Sequence, residues 1–492
     1  MFKKPLNLLS SSKQNQALHN SQLSLNFFNT LSKQKEPFAP LKDGEAKVYS
    51  CGPTVYNKQH IGNMRSFVFA DTLHRALKSA GFSVKHVINI TDVGHLTDDA
   101  DEGEDKIEKA AKEQQKSAQE IAHEITQLFL SDLKTLNLNL DEYIFPKATE
   151  FIDEQIKMVQ SLEGRGYTYK TKDGIYFDTS KFASYGALGG VDLSGIKEGA
   201  RIGKKTDKKN PSDFALWKFS PKNEKRQQEW NSPWGVGFPG WHIECSAMIN
   251  AILGPQIDIH TGGIEHIAVH HNNEIAQSEC ATGKSPFVKY WLHAQHLKID
   301  GEKMSKSLGN VLYLSDLLNK GFSAMDFRYF LLGAHYRSEI NFTFEALEGA
   351  KHAWRKMQDF VLSYGSFIDT NAVDKAEFSK RHFNEFLSKL FDDLNTPQAL
   401  ATLWTTMKDK SLSKTMRANT VAKGLSVLGL KLEQQTKDVL EIPENVLSLA
   451  KQRSTARQNK NWELADKLRD EIQKQGFEVI DKKDGSELKP LN

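Results

Sequence analysis

His270 and Glu274 stand four residues apart in His270-His-Asn-Asn-Glu-Ile-Ala-Gln-Ser278, a stretch with helical spacing. One face of a helical turn then carries an imidazole and a carboxylate, and both side chains can reach a single divalent cation. Taken alone, such a pair is more often a surface hydrogen bond. Soft donors exist in Cys51, Cys245 and Cys280, but spacing does not bring any of these thiols to that helix. Two other groups suit phosphate. His60-Ile61-Gly62-Asn63 falls where a strand and turn hand over to a helix, so backbone donors and the positive helix end can face an anion. Lys303-Met304-Ser305-Lys306-Ser307 sets two lysines three residues apart beside hydroxyls and Gly309. A specified pentapeptide arises by chance in a chain of this length with odds on the order of one in ten thousand. A mobile cationic loop of this kind can neutralise a pyrophosphate leaving group.

Such side chains need rigid elements beneath them. Residues 46–49 read as a short strand running into the Cys51-Gly52-Pro53 turn. Residues 61–78 place Phe67, Ala70, Leu73 and Leu77 at helical spacing, Gly81 stops that helix, and 84–90 alternate as a buried strand. Strand, helix, strand in that order predicts a parallel α/β unit. An acidic loop at 98–105 precedes one long helical pattern over 106–136, and a lysine-rich loop at 202–211 marks an inserted subdomain. Gly235-Val-Gly237-Phe-Pro-Gly240 matches the spacing of a dinucleotide-binding turn. No apolar strand precedes it, however, and Pro239 suits a loop better than the opening of a helix. No phosphate-binding loop of the G-x-x-x-x-G-K-[ST] type occurs.

The 492 residues exceed what one core needs, so two to four domains are expected. With 39% apolar and 26% charged residues the chain reads as a globular enzyme and not as a disordered one. Sixty-five Lys and Arg against sixty-two Asp and Glu leave a net charge of +3, so a nucleic-acid partner must be held by local basic surface. No apolar run is long enough to span a bilayer. Three cysteines cannot staple so long a chain, which points to a reducing, cytoplasmic setting. Residues 1–35 hold five lysines and no acid; 1–22 are expected to be a flexible basic extension. Leu6–Leu9 is too short for a secretory signal, and the lack of arginine weakens a transit-peptide reading. After about Arg337 amphipathic helices take over, a linker is expected at 434–444, and 446–474 read as a charged helical pair with Trp462, Ala465, Leu468 and Ile472 on one face.

His-Ile-Gly-Asn followed about 240 residues later by Lys-Met-Ser-Lys-Ser resembles the class I aminoacyl-tRNA synthetases. Tyr49-Ser-Cys-Gly-Pro-Thr-Val-Tyr56, Asn89-Ile-Thr-Asp92, Gly240-Trp-His-Ile-Glu-Cys-Ser-Ala-Met248, the His270–Ser278 stretch and Asp393-Leu-Asn-Thr-Pro397 narrow the resemblance to the cysteinyl-tRNA synthetase family. The likeness runs from about Leu23 to near the C-terminus. It implies a Rossmann-like α/β catalytic domain over 23–335, with an inserted subdomain near 150–235 and a lysine-motif region near 296–335. A helical anticodon-binding domain over 336–435 and a small C-terminal domain over 445–492 would follow. The implied activity is ATP-dependent ligation of L-cysteine to tRNA(Cys) through a cysteinyl-adenylate, by a cytoplasmic monomer with no membrane partner.

By the same resemblance, Cys51, Cys245, His270 and Glu274 match four ligands of one Zn2+, and Cys280 is left as a packing residue. Mg2+ would accompany ATP. His60, Asn63 and Lys306 would hold the nucleotide, with Lys303 adding charge, and Thr91, Trp241, His260 and Glu265 would line the cysteine pocket. Glu265 stands where the family more often has Asp, and Asn63 where the class motif more often has His. Zinc prefers a soft thiolate to a hydroxyl, so the site would separate cysteine from serine without an editing domain. Arg337, Trp354, Arg355, Arg381, Trp404, Arg453, Arg457 and Trp462 mark a surface expected to meet unpaired tRNA bases. Two rivals share parts of this pattern: a ligase passing cysteine to a small amine, and a non-catalytic RNA-binding paralogue.

Overall fold

The computed structural model describes residues 23–94, 106–190, 207–221, 226–304, 309–365, 376–432, 443–482 and 485–490. Its central sheet has five parallel strands in the spatial order Val288–Ala294, Ile257–Gly263, Glu45–Ser50, Ser83–Ile88 and Tyr143–Ile144. Tyr49 pairs with His260 on one side and Val87 on the other. Every residue of Ile257–Gly263 is buried, as expected of a strand covered on both faces. Strand order reverses between Glu45–Ser50 and Ile257–Gly263. In a doubly wound sheet that reversal opens a crevice beyond the carboxyl ends of the strands.

The Ile61–Ser79 helix connects Glu45–Ser50 to Ser83–Ile88 and buries Phe67, Ala70, Leu73 and Leu77 as its spacing predicts; Gly81 follows with φ +95°. The pattern over 106–136 is broken into Lys106–Gln114 and Ala118–Thr135. Gln115 adopts a left-handed φ of 55°, and Ser117 caps the second helix reciprocally with Glu120. That Ser-x-x-Glu box is a start signal which the apolar periodicity masks.

In chain order, an antiparallel four-stranded sheet, Thr168–Lys170, Gly174–Phe177, Phe214–Phe219 and Gly237–Pro239, comes between Tyr143–Ile144 and Ile257–Gly263. The glycine-rich stretch is thus partly a strand, where a loop was expected, and Trp241–Ile252 opens a helix directly after it. Pro239 is tolerated because the strand lies at the sheet edge. Its antiparallel pairing excludes the dinucleotide reading.

Leu297–Ile299, Glu302–Lys303 and Ile340–Phe342 form a small sheet, and Asp300-Gly301 makes the tight hairpin turn with φ of 49° and 84°. The helices Phe344–Tyr364, Lys380–Leu390, Thr396–Lys408 and Lys414–Val427 follow. Arg328, fully buried, ties several of these layers together. It donates to the carbonyls of Leu136 (2.7 Å) and Leu428 (3.0 Å) and pairs with Asp71 of the Ile61–Ser79 helix.

Two compact units divide the chain at Leu432/Glu433. The second holds the helices Glu444–Gln458 and Trp462–Lys474 and the hairpin Phe477–Lys482/Gly485–Pro490, packed on Val446, Ile472 and Phe477. Ala465, Leu468 and Ile472 are buried there, but Trp462 is 56% exposed, because it begins its helix instead of facing the core. Several residues of the expected RNA surface are committed elsewhere. Trp354 and Arg453 are each 2% exposed, Trp404 Nε1 donates to the Tyr329 hydroxyl (2.9 Å), and Arg337 is paired with Asp393. Arg355 and Arg381 do lie exposed. Among the described residues no helix is long and apolar enough to cross a membrane, and the 1–22 extension lies outside them.

Candidate active site

Cys51 follows the Glu45–Ser50 strand directly, at the reversal of strand order. Its backbone N–H donates to the Thr261 carbonyl (3.0 Å), and Gly52 N–H donates to Asn89 Oδ1 (2.8 Å). A Cβ on Gly52 would fall 1.6 Å from the Asn89 carbonyl oxygen, so only glycine lets these loops meet. Asn89 Nδ2 in turn donates to Thr91 Oγ1 (3.1 Å). The loops enclose a cavity of about 360 Å³, lined among others by Cys51, Thr91, Trp241, Cys245, Glu265 and His270. His60 and Asn63 line the same cavity. The sheet reversal therefore gathers thiol, imidazole and carboxylate groups beside a helix start.

His60 is the N-cap of the Ile61–Ser79 helix. Asn63 N–H donates to His60 Nδ1 and His60 N–H donates to Asn63 Oδ1, each at 3.1 Å. This reciprocal cap uses Nδ1 as an acceptor, which leaves the ring proton on Nε2. Burial lowers the His60 pKa, so the ring is neutral. A Cβ on Gly62 would crowd the His60 ring, at 3.1 Å.

The donor set fits a metal ion. The ligand atoms of Cys51, His270, His271 and Glu274 lie within 4.8 Å of one another. His270 Nε2 is 2.8 Å from Glu274 Oε1, the i,i+4 pair read from the sequence. Cys245 joins them: the hydrogen bond from Cys51 and, beyond it, that from His270 bring its thiol to about 7 against burial, while burial pushes Cys51 up. Burial opposes charge on Glu274 and His270, yet the imidazoles of His260 and His270 hold the Glu274 carboxyl down at about 2, and Glu274 carries His270 to about 10. Sulfur, nitrogen and oxygen donors of this kind suit zinc.

A second layer of buried imidazoles supports these donors. His260 Nε2 lies 2.9 Å from Glu274 Oε2, and His242 Nδ1 lies 2.8 Å from His270 Nδ1. His271 Nε2 is 3.3 Å from Cys51 Sγ, its Nδ1 is 2.8 Å from His293 Nε2, and His293 Nδ1 is 2.8 Å from Thr30 Oγ1. His260 was expected to line the cavity. It is fully buried, bonded to Glu274 and stacked on Trp291. His242, His271 and His293 were not singled out in the sequence; the first two sit inside the quoted stretches, whereas His293 and Thr30 carry no local signal.

The remaining expected residues are more peripheral. Trp241 packs on the His270 ring with centroids 4.7 Å apart. Glu265 is exposed, with Oε2 3.7 Å from His296 Nδ1. Lys303 is exposed on the hairpin after Asp300-Gly301, while Met304 beside it is buried and lines the cavity. Lys306 lies outside the described residues. Cys280 is buried in the core, and burial pushes its thiol up to about 11.

The fold and this crevice define a class I aminoacyl-tRNA synthetase catalytic domain. Over 78% of this chain and 89% of the other, the backbone is similar to a Mycobacterium tuberculosis methionyl-tRNA synthetase in complex with methionyl-adenylate, with TM-score 0.52 and 14% identity. It is also similar to a leucyl enzyme of Agrobacterium radiobacter solved as a ternary complex, at TM-score 0.54 and 12% identity, covering 80% and 84% of the two chains. At such identities the likeness speaks for fold alone. Residues 37–352 match the family described as tRNA synthetases class I (C) catalytic domain. The chain is 44% identical to a cysteine–tRNA ligase of Treponema denticola, covering 93% of this chain and 98% of that one. It is also 44% identical to cysteine–tRNA ligase 1 of Burkholderia lata, over 95% and 97%. The chain therefore belongs to the cysteinyl-tRNA synthetase family.

Proposed function

We propose that this protein ligates L-cysteine to tRNA(Cys) in two steps, activating the amino acid with Mg-ATP as cysteinyl-adenylate and then transferring the acyl group to a ribose hydroxyl at the tRNA 3′ end as AMP departs. The observation that carries this reading is one cavity lined both by Cys51, Cys245 and His270 and by the His60–Asn63 helix start. In the first step a carboxylate oxygen of cysteine bonds to the α-phosphorus, and the bond to the bridging oxygen breaks with its electron pair leaving on pyrophosphate. A carboxylate nucleophile needs no general base, so positioning and charge neutralisation do the work. His60 Nε2–H would donate to a phosphate oxygen, and the backbone donors of the helix start would face the same group. Lys306 and Lys303 would approach from the hairpin that Met304 anchors.

Cys51, Cys245, His270 and Glu274 would hold one zinc ion, which supplies selectivity for the substrate sulfur because it favours a thiolate over a hydroxyl. Thr91 and Trp241 would shape the pocket around the amino acid. Cysteine-dependent ATP–pyrophosphate exchange, followed by transfer of labelled cysteine to tRNA(Cys), tests the reading. Absence of exchange would leave the binding paralogue standing, and exchange without transfer to tRNA would leave the small-amine ligase.

A further inference from the structure

We infer that Lys58 is a phosphate-contacting catalytic residue: its ammonium leaves a resting place on Ser315 and engages the polyphosphate of ATP during adenylate formation. The inference rests on the proposed reaction and adds a charge which the lysine motif alone does not supply. Among the described residues that line the cavity, Lys58 is the one lysine or arginine. The other groups at the helix start bring no charge, since His60 is held neutral by burial and Asn63 has none to offer. Glu265 adds a negative charge to the same cavity. A triphosphate that must expel pyrophosphate needs cations aimed at the leaving oxygens. A cavity whose one described lysine stands two residues before His60, at the helix start, meets that need.

The resting geometry suits a movable side chain. Lys58 Nζ lies 2.6 Å from Ser315 Oγ and 5.1 Å from the centre of the Tyr313 ring. Its direct contacts are a neutral hydroxyl and an aromatic face, and the Asp132 carboxylate acts on it only through space, which holds an ammonium weakly compared with a paired carboxylate, so a phosphate can draw it away. Ser315 and Tyr313 belong to the segment that follows the lysine motif, and Tyr313 itself lines the cavity. The contact therefore joins the loop before the helix start to the segment that follows the lysine motif. When Lys58 turns to the nucleotide it moves no proton; it stabilises the negative charge gathering on pyrophosphate as the bond to the α-phosphorus breaks.

Three variants of the full chain test this: Lys58→Met, which keeps the length of the side chain, Lys58→Arg, and Ser315→Ala. Calorimetric binding of ATP without cysteine is measured beside cysteine-dependent pyrophosphate exchange. We expect Lys58→Met to weaken ATP binding or the exchange kcat roughly ten- to hundredfold, the worth of a hydrogen bond to a charged group. The KM for cysteine and the zinc content should stay unchanged, Lys58→Arg should recover most of the loss, and Ser315→Ala should cause none. Unchanged ATP binding and exchange in Lys58→Met would overturn the inference. So would an equal loss in Ser315→Ala, which would make the lysine a structural tie. If the wild-type chain showed no cysteine-dependent exchange, the proposed function would fail, while the ATP-binding arm would still decide the place of Lys58.

Discussion

Cys51 Sγ lies 3.3 Å from His271 Nε2, and behind His271 a line of hydrogen bonds runs through His293 to Thr30. If the Thr30 hydroxyl donates to His293 and His293 to His271, each ring has one tautomer and Nε2–H of His271 points at the sulfur. Support of this sort orients a ligand before a metal arrives. His271→Ala should therefore keep one zinc per chain but weaken its affinity roughly ten- to hundredfold. Cys245→Ser should lose the metal outright. Competition with a chromophoric chelator measures both; equal zinc affinity in all three proteins would remove His271 and Cys245 from the site.

The reciprocal cap between His60 and Asn63 makes these residues structural as well as chemical. Asn63→Ala should cost about 1 kcal/mol in urea unfolding, the usual worth of a capping interaction, and should raise the KM for ATP. Asn63→Asp can keep the bond to His60 N–H but brings a negative charge to the phosphate side. Its stability should stay near that of the wild type while the KM for ATP rises. Equal ATP kinetics in Asn63→Asp and the wild type would show that no phosphate approaches this helix end.

The paired strands, the Ile61–Ser79 helix and the helical C-terminal half are legible in the sequence because apolar periodicity records burial directly. The His270–Glu274 pair is legible for the same reason, since i,i+4 spacing fixes which side chains share a helix face. Cys51, just after a parallel strand, and Cys245, inside the Trp241–Ile252 helix, meet only through the tertiary fold, and local spacing holds no trace of that. His260 shows another limit: its place in a strand buried on both faces does not tell from sequence which face its ring takes, and its bond to Glu274 is set by the tertiary fold. Trp354 and Trp462 show the same limit in aromatics, where one type serves both core and surface.

That contrast gives a prediction. Trp354 is buried in the main core, whereas Trp462 is exposed with the Arg457 guanidinium 5.9 Å from its ring centre. Trp354→Ala should destabilise the protein by about 3–5 kcal/mol. Trp462→Ala should leave the thermal midpoint unchanged and weaken binding to tRNA(Cys) measured by filter retention. A tRNA affinity untouched by Trp462→Ala would exclude that side chain from the RNA surface.

Asp71 is buried between Arg328 and Arg75; burial alone would raise its pKa, but the two guanidiniums bring it to about 2. A carboxyl held below its ordinary value stabilises the fold fully above that ordinary value, near 4, and the contribution is lost as pH falls toward 2. Arg328→Met leaves a buried carboxylate short of a partner and should cost about 3–5 kcal/mol at pH 7. The deficit should shrink as the pH is lowered below about 4, where protonation relieves Asp71. Urea midpoints taken between pH 7 and 3 check the sign; a deficit that grows on acidification would contradict it.

Pyrophosphate exchange driven by cysteine and by serine, with zinc content determined on the same preparation, reaches the centre of the account. The outcome expected is strong exchange with cysteine, exchange near background with serine, and loss of the cysteine signal as zinc is stripped. Comparable exchange with both amino acids, or cysteine activation that survives complete removal of zinc, would contradict it.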